Sequence, residues 1–185
     1  MTLFEYITIA NSLILSFGVS RLLGGIPELF RADKPYWLHL LWVFGLLVNY
    51  PLMFWQMWNY RMVEDWQFFS FLLVLATPAA CLLTANFLIP TKPEKESNWE
   101  QYYFNNRSGI FGNLAIASMF TLLSTFLLLD VEADNPSRIL GAGSIVFLLI
   151  LAYSGSKRVH VGITIGMGVV ATLMFLAYRL PGALT

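Results

Sequence analysis

The sequence predicts an all-α fold: a polytopic transmembrane bundle of six spans arranged as three hairpins, forming one integral membrane domain over residues 1–185. Three observations carry this. Hydrophobic residues make up 57% of the chain and charged residues only 12%, where a soluble domain carries roughly 25% charge. Six apolar stretches have the length of about 20 residues that a bilayer span needs. The connections between them are short and polar, so no soluble domain fits. In water most of this apolar surface would be exposed. Hydrocarbon is as apolar as the side chains and removes the conflict.

The first span is placed at residues 3–22. Met1-Thr2-Leu3-Phe4-Glu5 lacks the basic region of a signal peptide and no small-residue cleavage site follows, so the stretch is expected to be a retained helix. Asn11, Ser12, Ser16 and Ser20 form a polar stripe along it, the serines at i, i+4 spacing. Arg21 admits two readings. Gly24-Gly25-Ile26-Pro27 offers a helix break, and Pro27-Glu28 suits a new start. The span then ends near Leu22 and Arg21 snorkels to the headgroups. If the helix instead runs unbroken to Phe30, Arg21 lies in hydrocarbon and needs a partner or a wet cavity. Glu5, sixteen residues or roughly 24 Å away, cannot pair with it and reads as an outer-interface carboxylate.

The second span, residues 36–58, carries Asn49 at a depth that matches Asn11, about 12–14 Å from the outer ends of the two spans. Two amides at one depth read as interhelical hydrogen bonding or as the lining of a small hydrophilic path. Pro51 here, and Pro78 in the third span at residues 66–90, each remove a backbone hydrogen bond and should kink their helices. Trp55, Trp58, Tyr60 and Trp66 cluster at the outer turn. Tyr36, Trp37, Trp42 and Trp99 gather at the other face. Both sets read as interfacial belts. Cys81 is the only cysteine, which excludes an intramolecular disulfide and CxxC chemistry.

Ser97-Asn98-Trp99-Glu100 fits a capping box, Ser at N-cap and Glu at N3. Trp99, Tyr102, Tyr103 and Asn106 follow at helical spacing. They predict a helix lying on the membrane and running into the fourth span, residues 109–129. Asn106-Arg107-Ser108 matches a glycosylation sequon, but a cytoplasmic loop would not meet that machinery. The fifth span is placed at residues 139–156, with Gly141, Gly143 and Ser144. The sixth is placed at residues 161–180, with Gly162, Gly166 and Gly168, a GxxxG and its neighbour. These small residues predict close helix packing against another span or another subunit.

Lys and Arg set the orientation. Arg31, Lys34, Lys92, Lys95, Arg107, Lys157 and Arg158 fall in the first, third and fifth connections. Only Arg61, Arg138 and Arg179 fall on the other side. The odd-numbered connections are therefore expected in the cytoplasm and both termini in the periplasm. The acidic fourth connection, residues 130–134, agrees weakly.

The functional exclusions are broad. Net charge is zero, so no global field draws nucleic acid. There is no HExxH, no GxSxG, no nucleotide-binding glycine loop, and no aspartate inside a span. An enzyme is not expected, and no catalytic residue is nominated. His39 and His160 are the only histidines. Neither has a Cys, Asp or Glu beside it at ligand spacing, so both read as interfacial imidazoles, and no metal or cofactor is expected.

Phe4-Glu5-Tyr6, Ser12-Leu13, the run from Gly18 to Gly25 and the run from Tyr36 to Trp42 resemble small multi-pass inner-membrane proteins of bacteria that carry no assigned function. The resemblance is best over the first third of the chain. It implies a bacterial inner membrane and no activity. The resulting expectation is a small homo-oligomeric channel or transporter in the lipid bilayer, its path lined by Asn11, Ser12, Ser16, Arg21 and Asn49. The alternative is a non-catalytic membrane subunit or sensor. It would bind a membrane protein partner through the small-residue face or the loop at residues 91–108.

Overall fold

The computed structural model describes residues 2–31, 34–92, 98–129 and 136–179. They form an all-helical chain. The helices are α1 (Leu3–Arg31), α2 (Trp37–Gln56, prolonged by a 3₁₀ turn at Met57–Met62), α3 (Phe68–Leu88), α4 (Trp99–Leu128), α5 (Pro136–Tyr153) and α6 (Lys157–Arg179). Four apolar stretches are long enough to cross a membrane: Leu3–Arg31, Trp37–Met62, Phe68–Leu88 and Trp99–Leu128. The apolar part of α5, Arg138–Tyr153, is shorter. The acidic run at 130–134, Lys95, Ser97 and the expected end of the sixth span at Leu180 lie outside the described residues.

The exterior is apolar and the interior holds the polar groups. Phe17, Phe68 and Phe126 are 66%, 75% and 64% exposed, whereas Asn11, His39, Thr84, Ser124 and His160 are buried. In water this arrangement leaves the apolar transfer energy unspent. In hydrocarbon it satisfies both sides at once. The apolar helices are thus compatible with a membrane protein.

α1 does not break at Gly24-Gly25-Ile26-Pro27. Its buried residues Ile7, Asn11, Leu15, Gly18, Leu22, Gly25 and Leu29 recur every three or four positions to the end of the helix. That stripe continues past the glycines because Gly25 seats Ile89 of the α3 C-terminus. Tertiary packing outweighs the local cost of Gly and Pro. The remaining interhelix glycines work the same way. Gly18 makes room for the Tyr50 ring of α2, and Gly109 of α4 receives the Phe87 ring of α3. In each case a Cβ would overlap the neighbouring side chain.

α4 also departs from expectation. It begins at Trp99, and its N-cap is Asn98, whose side chain accepts from the Gln101 amide at 3.2 Å. Glu100 is therefore one position too early for a capping box. It pairs with Lys157 at 2.8 Å instead. Trp99 and Tyr103 are fully buried, so the first turns of α4 are core rather than a helix lying on a surface. The core gains more from these two rings than an interface would.

The connections after α1, α3 and α5 meet at one end of the bundle. Lys34 pairs with Asn98 across the first and third, and Lys157 lies over the Tyr36 ring at 5.4 Å. This is the lysine end. At the opposite end Phe4 packs edge-on against Trp58 and Tyr6 stacks on Phe71. α3 and α4 share the largest helix interface, followed by α4 and α5.

Candidate functional site

The five polar residues nominated from sequence do not share one surface. Asn11 is buried, and its Oδ1 has no protein partner. It opens on a cavity of about 40 Å³ lined also by Gln56, Tyr60, Thr77, Thr121 and Ser124. Tyr60 Oη and Ser124 Oγ lie 2.8 Å apart there, and the Thr77 and Thr121 hydroxyls 3.3 Å apart. Met53, Met57, Val74 and Pro78 complete the lining, so polar and apolar groups share a space of the size of a single water. Ser12 and Ser16 turn away from it. Their hydroxyls donate to the carbonyls one turn back, Thr8 and Ser12, at 2.6 and 2.7 Å. Ser16 is exposed.

Asn49 is half-buried and does not line the Asn11 cavity. The two amides are not at one depth. Tyr50 sits on Gly18, which places Asn49 level with that part of α1. Asn11 is level with Met53 and Met57. Seven residues separate Asn11 from Gly18, about 10 Å along the axis. The glycine contact sets the α1–α2 register, and counting from span ends misses it.

Arg21 finds a use that neither sequence reading names. The last carbonyls of a helix lack intrahelical donors and form its negative end. At the end of α3 three of them are met by three different helices. Tyr102 Oη of α4 donates to the Phe87 carbonyl at 3.0 Å. His39 Nε2 of α2 donates to Leu88 at 2.9 Å. Arg21 Nη2 of α1 donates to Ile89 at 2.8 Å. The α3 terminus is a junction, wedged by Ile89 on Gly25 and Phe87 on Gly109. At the opposite end Arg138 caps α4 in the same manner, donating to Thr125 at 3.0 Å and more weakly to Leu129 at 3.5 Å.

Around this junction the rings form one packed cluster. His39 lies 5.1 Å from Trp99 and 6.0 Å from Tyr103, and Tyr103 lies 5.4 Å from His160. Both imidazoles are fully buried, not interfacial as the sequence suggested. His160 Nε2 donates to the Ser154 carbonyl at 2.9 Å. Its Nδ1 therefore accepts from Tyr103 Oη at 2.8 Å, which fixes the neutral tautomer. Both nitrogens of His160 are taken, one by Tyr103 Oη and one by the Ser154 carbonyl, so it has none left for a haem iron. Among the described residues no group of three potential ligands gathers for a metal.

Beside the junction an open groove of about 420 Å³ runs between α1 and the end of α3. Phe17, Ser20, Arg21, Gly24, Ile89 and Thr91 line it. Arg21 Nε is buried there without a partner. The glycines of α6 differ from Gly18 and Gly25 of α1 and Gly109 of α4. Around Gly162, Gly166 and Gly168 nothing lies within 4 Å of where a Cβ would sit.

No family model, curated protein or solved structure matches the chain.

Sequence reasoning missed the junction, because its members are scattered over α1, α2 and α4 and serve the backbone of α3. One signal was present. Two histidines in so apolar a chain are costly unless paired, and His39 neighbours Tyr36, Trp37 and Trp42 in sequence.

Proposed function

We propose that the chain is a six-span subunit of the bacterial inner membrane, with its lysine end in the cytoplasm, that assembles through α6 with a further membrane helix. The supporting observation is the open face of Gly162, Gly166 and Gly168. Gly18, Gly25 and Gly109 are filled by a neighbour's side chain, whereas these three, like Gly24, Gly45, Gly112, Gly143 and Gly155, meet nothing, and only in α6 do they fall in a GxxxG spacing. Membrane helices associate by close backbone approach at small residues. Among the described residues the contacts that hold α6 lie in its first turns: Lys157 on Glu100, His160 on Tyr103, Thr164 beneath Trp42 Nε1 at 3.1 Å, and Ile163 and Met167 against the core.

The test is native mass spectrometry and chemical cross-linking of gently solubilised protein, wild type against Gly166→Leu. Assembly lost in the variant while the fold survives supports the reading. Assembly unchanged sinks it. A second copy in the complex makes the protein a homo-oligomer, and a foreign chain makes it a subunit or sensor. Orientation is checked by single cysteines in place of Lys34, Lys157 and Glu64, in a Cys81→Ala background. Labelling of the first two from the outside would reverse the topology.

The channel or transporter reading keeps one observation in its favour. Ser16 and Ser20 are exposed and Arg21 is half-buried on the outer side of α1, so a path lined by them would run along a boundary between copies. Flux in proteoliposomes that Arg21→Leu or Asn49→Leu abolishes would establish it.

A further inference from the structure

We propose that the groove between α1 and the end of α3 is a binding site for the phosphate of an anionic lipid headgroup, with Arg21 as its principal ligand. The inference rests on the bundle being embedded in a bilayer, and not on what α6 meets.

Arg21 presents a fork of five donors. One donates to the Ile89 carbonyl. Nε is buried and unpartnered. Among the described residues no carboxylate pairs with it, and the nearest acidic residue in α1 on that side, Glu28, is bound to Arg31 at 2.9 Å. A guanidinium with donors left unpaired at the wall of an open groove suits a tetrahedral oxyanion such as phosphate. Arg21 lines the groove together with Ile89 and Thr91, and by holding the Ile89 carbonyl it offsets the negative end of α3 there.

The surroundings fit a lipid better than a free ion. The groove volume falls in the range of about 300–1,000 Å³ seen for small-molecule sites. The absence of a side chain at Gly24 opens its floor beside Arg21. Ser20 and Thr91 place hydroxyl-bearing residues on its walls, and Lys92 follows Thr91 in the chain. One turn further from the lysine end, Phe17 continues the groove as an exposed ring on the outer face. Polar lining at the helix end and apolar lining toward the bundle middle match a headgroup followed by an acyl chain. The level is right as well, because α3 ends at Leu88 and α3 alone is about 31 Å long, one hydrocarbon thickness.

The experiment uses the full chain in a neutral detergent. It reads bound lipid by native mass spectrometry and thermal midpoint after adding phosphatidylglycerol, phosphatidylcholine or inorganic phosphate. Wild type should retain phosphatidylglycerol in preference to phosphatidylcholine and gain thermal stability from it. Arg21→Gln should weaken that binding about tenfold, the loss of one charge-assisted contact, and Arg21→Lys should fall between. Arg21→Gln also removes the α3 cap, so Gly24→Leu is the deciding variant. Its side chain enters open space and fills the groove while leaving the Arg21–Ile89 bond in place. Equal phosphatidylglycerol retention by wild type and Gly24→Leu overturns the site. Inorganic phosphate that stabilises wild type as well as the lipid does, and displaces it, overturns the lipid assignment in favour of a free anion. A chain that stays dispersed without detergent would refute the embedding itself, a result separate from either.

Discussion

α1 and α6 are both glycine-bearing helices, and they use glycine in opposite ways. In α1, Gly18 and Gly25 are seven residues apart on the buried stripe, and each is filled, one by Tyr50 and the other by Ile89. In α6, Gly162 and Gly166 form the motif that sequence readers look for, and both face open space. The difference shows what a small residue encodes. A glycine marks a place where backbone can be approached, and only the neighbour's side chain says whether this chain makes the approach. α1 uses Gly18 and Gly25 for packing within the monomer. In the monomer Gly162, Gly166 and Gly168 of α6 serve no such contact.

The largest expected effect breaks the α1 half of this comparison. In Gly18→Ala the new methyl overlaps the Tyr50 ring, whose hydroxyl donates to the Cys81 carbonyl at 3.0 Å. The ring must move and the buried bond goes with it. The cost is about 2–4 kcal/mol from overpacking and the lost hydrogen bond together. Gly166→Ala in the monomer meets nothing and should leave stability unchanged or slightly raised, since Ala favours helix over Gly. Unfolding of both variants in mixed micelles measures this. Equal destabilisation of the two would erase the distinction.

Next comes the hold on α6. Tyr103→Phe leaves His160 Nδ1 buried without a donor, a penalty of about 1–3 kcal/mol. Because that bond and the Trp42–Thr164 bond tie α6 to α4 and α2, the loss should appear locally. Hydrogen exchange should rise along α6 and stay constant in α3. A uniform rise would mean that α6 is no more peripheral than the rest.

The two arginine caps refine the comparison at the helix ends. Arg21 and Arg138 each serve the negative terminus of a neighbouring helix, α3 and α4. Arg138→Gln removes a cation from the last turn of α4 and should cost about 0.5–2 kcal/mol. Arg21→Gln in lipid-free detergent should cost a similar amount. In anionic lipid the Arg21 variant should fall further behind, and equal losses in both media would argue that the two caps are equivalent.

The class of fold was legible because composition and span length speak directly about solvent. Helix limits were less so. Gly24-Gly25-Ile26-Pro27 reads as a break in isolation, and only the seating of Ile89 on Gly25 keeps α1 continuous. Ser97 and Glu100 read as a capping box because the spacing is right, yet the burial of Trp99 and Tyr103 fixes the start one residue later, at an Asn98 cap. Asn11 is a buried polar group beside a cavity of mixed lining. Its pairing in depth with Asn49 was not legible, since register comes from the Gly18–Tyr50 contact rather than from distance to a span end. The α3 junction was invisible for a plainer reason. Its acceptors are backbone carbonyls, which carry no residue signature, and its donors come from three helices.

The smallest effect is expected where the pattern looks most favourable. Lys157 and Glu100 join α6 to α4 at 2.8 Å, opposite charges at the lysine end. Their side chains are 54% and 45% exposed, so water and salt screen the pair, and ordering two long side chains offsets part of the gain. Lys157→Gln should therefore cost about 0–1 kcal/mol, less again at high salt, although Lys157 also lies over Tyr36. α6 is then held by its buried imidazole and hydroxyl contacts, with the visible ion pair contributing little. A loss from Lys157→Gln that equals the loss from Tyr103→Phe would invert that order and make the surface pair the true anchor of α6.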